Sequence, residues 1–300
     1  MSTYRIGVDL GGTKIEIAVL GPDGAEHYRH RVPTPPRYEA RLEAIAALVH
    51  QAEAQVSAIC TIGIGIPGII SPATGLVKNA NSVALNGHPF DKDISTVLGR
   101  EVRVENDANC FALSEATDGA GAAYTTVFGV IIGTGVGAGV VVRGQIVAGP
   151  HRIAGEWGHN PLPWPSVDEI PGPHCWCGNW NCFETYVSGP ALARDYDGPD
   201  AHDASTIPAR AAAGDLKAKA ALDRHADRLA RGLATVINIL DPEVIVLGGG
   251  LSNMAHLYEI LPGLVRRRVF SDVVNTPIVK NWHGDSSGVR GAAWLWPPRG

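Results

Sequence analysis

The sequence predicts an α/β protein of two lobes, each built on a copy of one strand–hairpin–strand unit. Three observations carry that expectation. Residues 5–31 (RIGVDLGGTKIEIAVLGPDGAEHYRHR) and 128–149 (FGVIIGTGVGAGVVVRGQIVAG) share one plan: an apolar strand, a Gly-rich turn, a β-branched strand, a second turn and a third strand. After the first copy, helical and strand patterns alternate, as they do where crossover helices join parallel strands. The chain has 300 residues, enough for two domains with ample cores.

Taken in order, the first copy leads to residues 37–54, whose Leu42, Ile45, Val49 and Ala52 recur at helical spacing between charges. A strand over 58–66 is stopped by Pro67-Gly68, and a short apolar run, 102–104, enters Glu105-Asn106-Asp107. Residues 108–120 read as the helix that crosses into the second copy. The stretch 159–181 is rich in Pro, Trp and Cys and lacks periodicity, so it reads as an irregular insertion. A long helix is expected over about 216–240, then a buried strand, 244–247, that enters Gly248-Gly249-Gly250. Another helix, a short strand near 277–279 and a closing helix over about 287–295 complete the pattern.

Composition narrows the partners. A net charge of −5 with no long basic run argues against nucleic acid and anionic membranes. No run of about 18 apolar residues offers a membrane span, and the first residues lack the basic and apolar regions of an export signal. A cytoplasmic protein is therefore expected. Of five cysteines, Cys175, Cys177 and Cys182 crowd together, which suits metal binding in a reducing compartment better than a disulfide framework. Cys60 and Cys110 stand alone in apolar contexts and read as small core residues. With His159 upstream, the three thiolates make a Cys3His set, the kind that closes a structural zinc site. His174, adjacent to Cys175, competes as the nitrogen donor.

The two Gly-rich turns point to a polyphosphate. Glycines free backbone N–H groups to form concave anion sites. Two such turns, Asp9–Lys14 and Gly133–Gly139, suit a polyphosphate better than a single phosphate. A tight hairpin is the plain reading of the first turn alone, and the repeat favours phosphate. Gly133–Ala138 also spells the dinucleotide fingerprint G-x-G-x-x-A, but that motif demands a helix next. The next residues, Val140–Val147, are instead strand-like. Gly248–Gly250 does come after a strand and precede a helix, yet no acidic residue ends the next strand, at Val279-Lys280. A nicotinamide enzyme is not expected.

Strand–hairpin–strand followed by crossover strands, twice over, is the plan of the actin-like ATPase (ribonuclease H-like) fold. In order along the chain stand DLGGTK (9–14), GIGIPG (63–68), ENDAN (105–109), GTGVGAG (133–139), GEWGH (155–159), CWCGNWNCFE (175–184) and LDPEVIVLGGG (240–250). This series resembles the signatures of the ROK family, named for repressors, open reading frames and kinases, and it spans nearly the whole chain. The resemblance implies a sugar kinase that uses ATP with Mg²⁺, carries a structural Zn²⁺ and forms homodimers or dimers of dimers. It also implies a small lobe of residues 1–115 plus 285–300 and a large, zinc-containing lobe of residues 116–284, with sugar and ATP meeting in the cleft.

The same resemblance assigns roles. Capping the next helix is, on position alone, at least as good a reading of Asp107. The resemblance makes it the general base that takes the proton of the attacking hydroxyl. Asn106, Glu156, His159, Glu184 and the backbone of Gly68 are the implied sugar partners, with Asp107. Asp9 is implied as an outer-sphere partner of Mg²⁺, with Gly11, Gly12, Thr13 and Lys14 near the phosphates. Gly133, Thr134 and Gly135 hold phosphate, and Gly248, Gly249 and Gly250 border the adenosine. His159, Cys175, Cys177 and Cys182 ligate zinc. The family carries a second Gly where this chain has Asn181; Asn tolerates a left-handed backbone, so the turn is expected to survive.

Longer strings, KNANS (78–82), LNG (85–87), PFDKD (89–93), GEWGHNPLPW (155–164) and HGDSSGVRGAAWLW (283–296), resemble the bacterial fructokinase (manno-fructokinase) branch. The expected acceptor is accordingly D-fructose, phosphorylated at O6, with mannose or glucose as secondary substrates. A glucokinase, an N-acetylhexosamine kinase and a non-catalytic sugar-sensing protein are the alternatives. A DNA-binding repressor is not expected, because only eight residues precede Asp9 and the chain is acidic.

Overall fold

The structure, a computed structural model, describes residues 4–297. The first copy of the repeat is β1 (Arg5–Leu10), β2 (Lys14–Leu20) and β3 (Glu26–Pro33), followed by α1 (Tyr38–Val56) and β4 (Thr61–Ile66). A small hairpin, β5 (Ile69–Ile70) and β6 (Val77–Lys78), precedes α2 (Phe90–Leu98), β7 (Val102–Asn106) and α3 (Asp107–Asp118). The second copy is β8 (Thr126–Ile132), β9 (Val136–Val142) and β10 (Gln145–Ile146). Beyond an irregular stretch lie α4 (Glu184–Val187), α5 (Gly189–Asp197), α6 (Ile207–Ala212), α7 (Leu216–Leu240), β11 (Val244–Gly248), α8 (His256–Arg266), β12 (Ile278–Lys280) and α9 (Ser287–Trp294).

The two five-stranded sheets have one topology. The first runs β3-β2-β1-β4-β7 and the second β10-β9-β8-β11-β12. Each begins with antiparallel hairpin strands and ends with parallel ones, β1/β4/β7 and β8/β11/β12. This duplicated order is the plan of the actin-like ATPase fold. The copies differ at the outer strand, where β10 has two residues and β3 has eight. Gly149 at φ +73° and Pro150, which has no N–H to donate, end the pairing early.

Contacts divide the chain into two compact units. One comprises the residues up to Ala123, Gly139–Ala154 and those from Trp282 onward; the other comprises Tyr124–Ala138 and Gly155–Asn281. In the first unit, Ile6, Val8 and Leu10 of β1 join Ile45, Leu48 and Val49 of α1 in one apolar cluster. Each such fully buried aliphatic chain contributes on the order of 1.5–3 kcal/mol. On the opposite face of the sheet, Gly7 and Gly63 leave no room for a side chain. A Cβ at Gly7 would lie 1.9 Å from Val289 O, and one at Gly63 1.8 Å from Ala292 O, so the backbone of α9 lies directly on β1 and β4. Strand β4 starts at Thr61 rather than residue 58 because Ser57, at φ +50°, ends α1 and Ala58 N–H donates back to Glu53 O (3.2 Å). Helix α2 is short, nine residues of which only Phe90 and Ile94 are buried.

In the second unit the long helix α7 forms as expected, with the Asp215 carboxylate accepting from Ala218 N–H (3.0 Å) at its start. The irregular stretch is held by an ion pair rather than by periodic apolar contacts. Arg231 of α7 donates to both carboxylate oxygens of buried Glu169 at 2.8 Å, and Arg228 adds a third bond at 2.8 Å. Among the described residues, no helix is long and apolar enough to cross a membrane.

Candidate active site

In the first unit, β1 delivers Asp9 to the mouth of the glycine turn, opposite Glu16 on β2 and beside Gly65 on β4. Burial raises the Asp9 carboxyl to about 6; Glu16 adds to the shift, and Lys14 and Arg31 oppose it. The turn is fastened from both sides. Gly11 N–H donates to Lys14 O (3.0 Å), while Thr34 donates to Gly11 O through its hydroxyl (2.8 Å) and to Thr13 O through its N–H (2.9 Å). The charge of Lys14 lies 3.7 Å from fully buried Glu16, which also pairs with Arg29 and, at 2.7 Å, Arg31. Sequence reasoning passed over this cluster. Its signal is the period-two spacing of Lys14 and Glu16 on β2 and of Arg29 and Arg31 on β3, with Glu16 paired to Arg31.

The end of β7 brings Gly68, Asn106 and Asp107 together. Asn106, not Asp107, caps α3: its side-chain oxygen accepts from Ala108 N–H (2.9 Å) and Asn109 N–H (3.3 Å). Its amide nitrogen donates to Gly68 O (3.1 Å). Gly68, at φ +82°, would place a Cβ 2.5 Å from Lys78 O, so only glycine fits there. Asp107 is the first helical residue, half-buried, with one oxygen 2.8 Å from Ala108 N. Glu105, not foreseen, accepts from Asn109 Nδ2 (3.2 Å) and pairs with Arg152 at 2.6 Å. Local acceptors therefore hold the strand-to-helix junction with Asp107 at its tip.

In the second unit, the two glycine segments meet. Gly249, at φ +78°, would direct a Cβ to within 2.5 Å of Ile132 O, so β11's exit runs against the residue that precedes Gly133. Gly133, Thr134 and Gly250 line one open pocket of about 610 Å³ with Gly189, His202, Asp203 and Ser205. No motif marks 202–205, which lie in an aperiodic stretch, so these wall residues had no sequence signal beyond the Asp203–Ser205 turn (Ser205 N–H to Asp203, 2.8 Å).

The remaining predicted residues gather around the cysteines. His159, Cys175, Cys177 and Cys182 place one donor atom each within 4.8 Å of one another. In a tetrahedral zinc site with Zn–S bonds of about 2.3 Å, donor atoms stand about 3.8 Å apart. Here Cys177 Sγ is 3.6 Å from Cys182 Sγ, and Cys175 Sγ is 3.7 Å from His159 Nδ1. The donor set fits zinc. His174 is outside it, with its ring edge-on to Trp180 at 5.0 Å. Asn181 sits at φ +67°, so the left-handed turn survives without glycine. Glu184, two residues past Cys182, accepts from Val136 N–H (2.8 Å) and from the indole N–H of Trp176 (2.9 Å). Glu156 keeps part of its surface in solvent, yet loses enough hydration for its pKa to rise; His159 opposes the shift and Glu184 adds to it.

The signature pattern of the ROK family matches residues 5–299. This chain belongs to the ROK family. It is 44% identical to an N-acetyl-D-glucosamine kinase of Pasteurella multocida, over 97% of this chain and 99% of that protein. A second N-acetyl-D-glucosamine kinase, from Pectobacterium atrosepticum, is 42% identical, with 96% and 97% covered. Among solved structures, a ROK hexokinase from Thermus thermophilus superposes with a TM-score of 0.85 at 32% identity, with 97% of this chain and 96% of that one covered. A ROK glucokinase from Streptomyces griseus, in complex with glucose and AMPPNP, gives 0.79 at 29% identity, with 97% and 98% covered.

These relatives correct the fructose expectation, because full-length kin at 42–44% identity are N-acetyl-D-glucosamine kinases. The structure shows why several of the branch-like strings misled. Asn86 spends its side chain on Ala80 N (3.0 Å) and O (2.9 Å), and Leu85 and Phe90 are wholly buried. Asp93 accepts from Tyr38, and Ser287 donates to Glu115 at 2.7 Å. Those residues report the scaffold rather than the sugar.

Proposed function

We propose that this ROK protein is an ATP-dependent kinase that transfers the γ-phosphoryl group to the 6-hydroxyl of N-acetyl-D-glucosamine. The observation that carries the acceptor is the agreement of relatives 42–44% identical over at least 96% of the chain, all N-acetyl-D-glucosamine kinases. In this reading Asp107, the first residue of α3 beside the Asn106 cap, takes the proton of the sugar hydroxyl as its oxygen bonds to the γ-phosphorus. The bond from that phosphorus to the bridging oxygen breaks, and ADP leaves. Mg²⁺, when bound, neutralises the phosphate charge. Asp9 would hold it through water, and the Gly11–Lys14 turn would hold the phosphate oxygens.

Gly133, Thr134, Gly135 and Gly248–Gly250 would take the rest of the nucleotide, in keeping with the pocket that Gly133, Thr134 and Gly250 share. Gly68, Asn106, Glu156, His159 and Glu184 would hold sugar hydroxyls. Cys175, Cys177, Cys182 and His159 Nδ1 would hold Zn²⁺, which leaves Nε2 of His159 for the sugar.

An ADP-release assay with Mg-ATP tests the reading on N-acetylglucosamine, N-acetylmannosamine, glucose, mannose and fructose. The expected result is a kcat/KM for N-acetylglucosamine roughly tenfold or more above the others. A ranking led by another hexose would overturn the acceptor, and no turnover with any sugar from zinc-loaded protein would overturn the kinase.

A further inference from the structure

We infer that Glu184 is a positioning residue that ties the metal-binding loop to the second glycine turn, so that metal occupancy sets the order of that turn and with it nucleotide affinity. The last clause rests on the proposed kinase reading; the mechanical link does not. Three contacts define the tie. One carboxylate oxygen of Glu184 accepts from Val136 N–H at 2.8 Å, the other from Trp176 Nε1–H at 2.9 Å, and Gly189 N–H donates to Gly133 O at 2.7 Å. Trp176 lies between two of the cysteine donors, and Glu184 lies two residues beyond the third.

The segment from Cys182 to Gly189 therefore clasps the turn at both ends. Its first part is anchored to the metal loop: Thr185 donates to Cys182 O through N–H (2.9 Å) and hydroxyl (2.7 Å). Its far end is anchored beneath by buried His225, whose Nε2 lies 2.9 Å from Val187 O. The contact at the turn is close enough to exclude a side chain, since a Cβ on Gly135 would stand 2.7 Å from the Glu184 carboxylate. Both bonds at Glu184 are charge-assisted, the stronger kind of hydrogen bond. A carboxylate can accept both donors and still offer lone pairs to a sugar hydroxyl. A carboxamide cannot: Glu184→Gln has one oxygen and one NH₂, so either Val136 or Trp176 faces a donor.

Trp176 is 67% exposed, which makes Trp176→Phe a mild change that removes the loop-side donor and keeps an aromatic ring where Trp176 stands edge-on to His159 at 5.0 Å. The experiment follows hydrogen–deuterium exchange of peptides covering 130–140 in zinc-loaded wild type, Trp176→Phe, Glu184→Gln and chelator-treated wild type, with zinc content and the affinities for AMPPNP and N-acetylglucosamine measured alongside. Exchange over 133–136 is expected to rise about tenfold in both variants with zinc retained, and in the zinc-free protein with Glu184 intact. AMPPNP affinity should fall by about the same factor, measured without sugar.

Unchanged exchange in Trp176→Phe and Glu184→Gln would overturn the link. A Glu184→Gln protein that loses sugar affinity alone, with the turn still protected, would do the same and leave Glu184 as a sugar ligand only. Faster exchange in a protein whose wild type binds no AMPPNP would keep the link and remove the kinase reading.

Discussion

A half-buried carboxyl like that of Asp9 weakens the fold that carries it. Burial first, and Glu16 second, raise it to about 6, more than Lys14 and Arg31 can offset. A group with that environment beside a phosphate-type turn is a functional candidate on physical grounds. The direction of the shift fixes the sign of the pH effect. Well below pH 4, folded and unfolded chains both hold the proton and the deficit vanishes. As pH rises from about 4 to 6 the unfolded chain ionises freely, the folded one resists, and stability attributable to Asp9 is lost; above about 6 the deficit is complete. Asp9→Asn should therefore be more stable than wild type by about 1–3 kcal/mol at pH 7.5, with the gap closing toward pH 4.5. Urea denaturation at the two pH values measures it, and a gap independent of pH would show that Asp9 is not held against desolvation. The same variant should lose turnover, since an amide would not supply the charge that, in the proposed reading, would hold Mg²⁺ through water.

At the scale of elements, the metal loop shows what a sequence can and cannot disclose. The thiol donors are legible because three cysteines within eight residues of an aperiodic stretch suit a metal better than a packed core, whereas spacing alone does not decide between His159 and His174 as the nitrogen donor. Geometry places His159 with the thiols and turns His174 toward Trp180. Elemental analysis should find zinc retained in His174→Ala and lost, wholly or largely, in His159→Ala. The reverse result would reassign the ligand. The anchor of the stretch before the loop is not legible, because the Glu169–Arg231 pair joins residues 62 apart with no pattern linking them. Long periodic segments such as α7 can be read directly, as can the two hairpins. Helices α2 and α5 cannot, since each has nine residues and buries a narrow face. In the site, the turns and Asn106-Asp107 come from motif chemistry, but the capping role belongs to Asn106, and the sugar was misread from strings that pack the scaffold.

The whole molecule repeats one sheet order, and its proposed chemistry divides between the copies: the first carries Asp107 and the Asp9 turn, the second the glycine pocket and the metal set. Such a division separates binding from catalysis in a testable way. A ligand that binds only the folded chain stabilises it by about 2.7 kcal/mol at a hundred times its Kd. In a chain of this size that corresponds to a rise in Tm of about 5 °C. Mg-AMPPNP should produce this rise in wild type. Asp107→Ala should show nearly the same rise, because the proposed nucleotide contacts do not pass through Asp107, while kcat with N-acetylglucosamine falls by about 10²–10⁴. Thermal melts with and without nucleotide, set beside turnover, separate the outcomes. A variant that turns over normally would remove Asp107 as the base. One that loses both the thermal shift and turnover would place Asp107 in the support of the α3 junction instead, as the bond from Ala108 N–H to its carboxylate would then suggest.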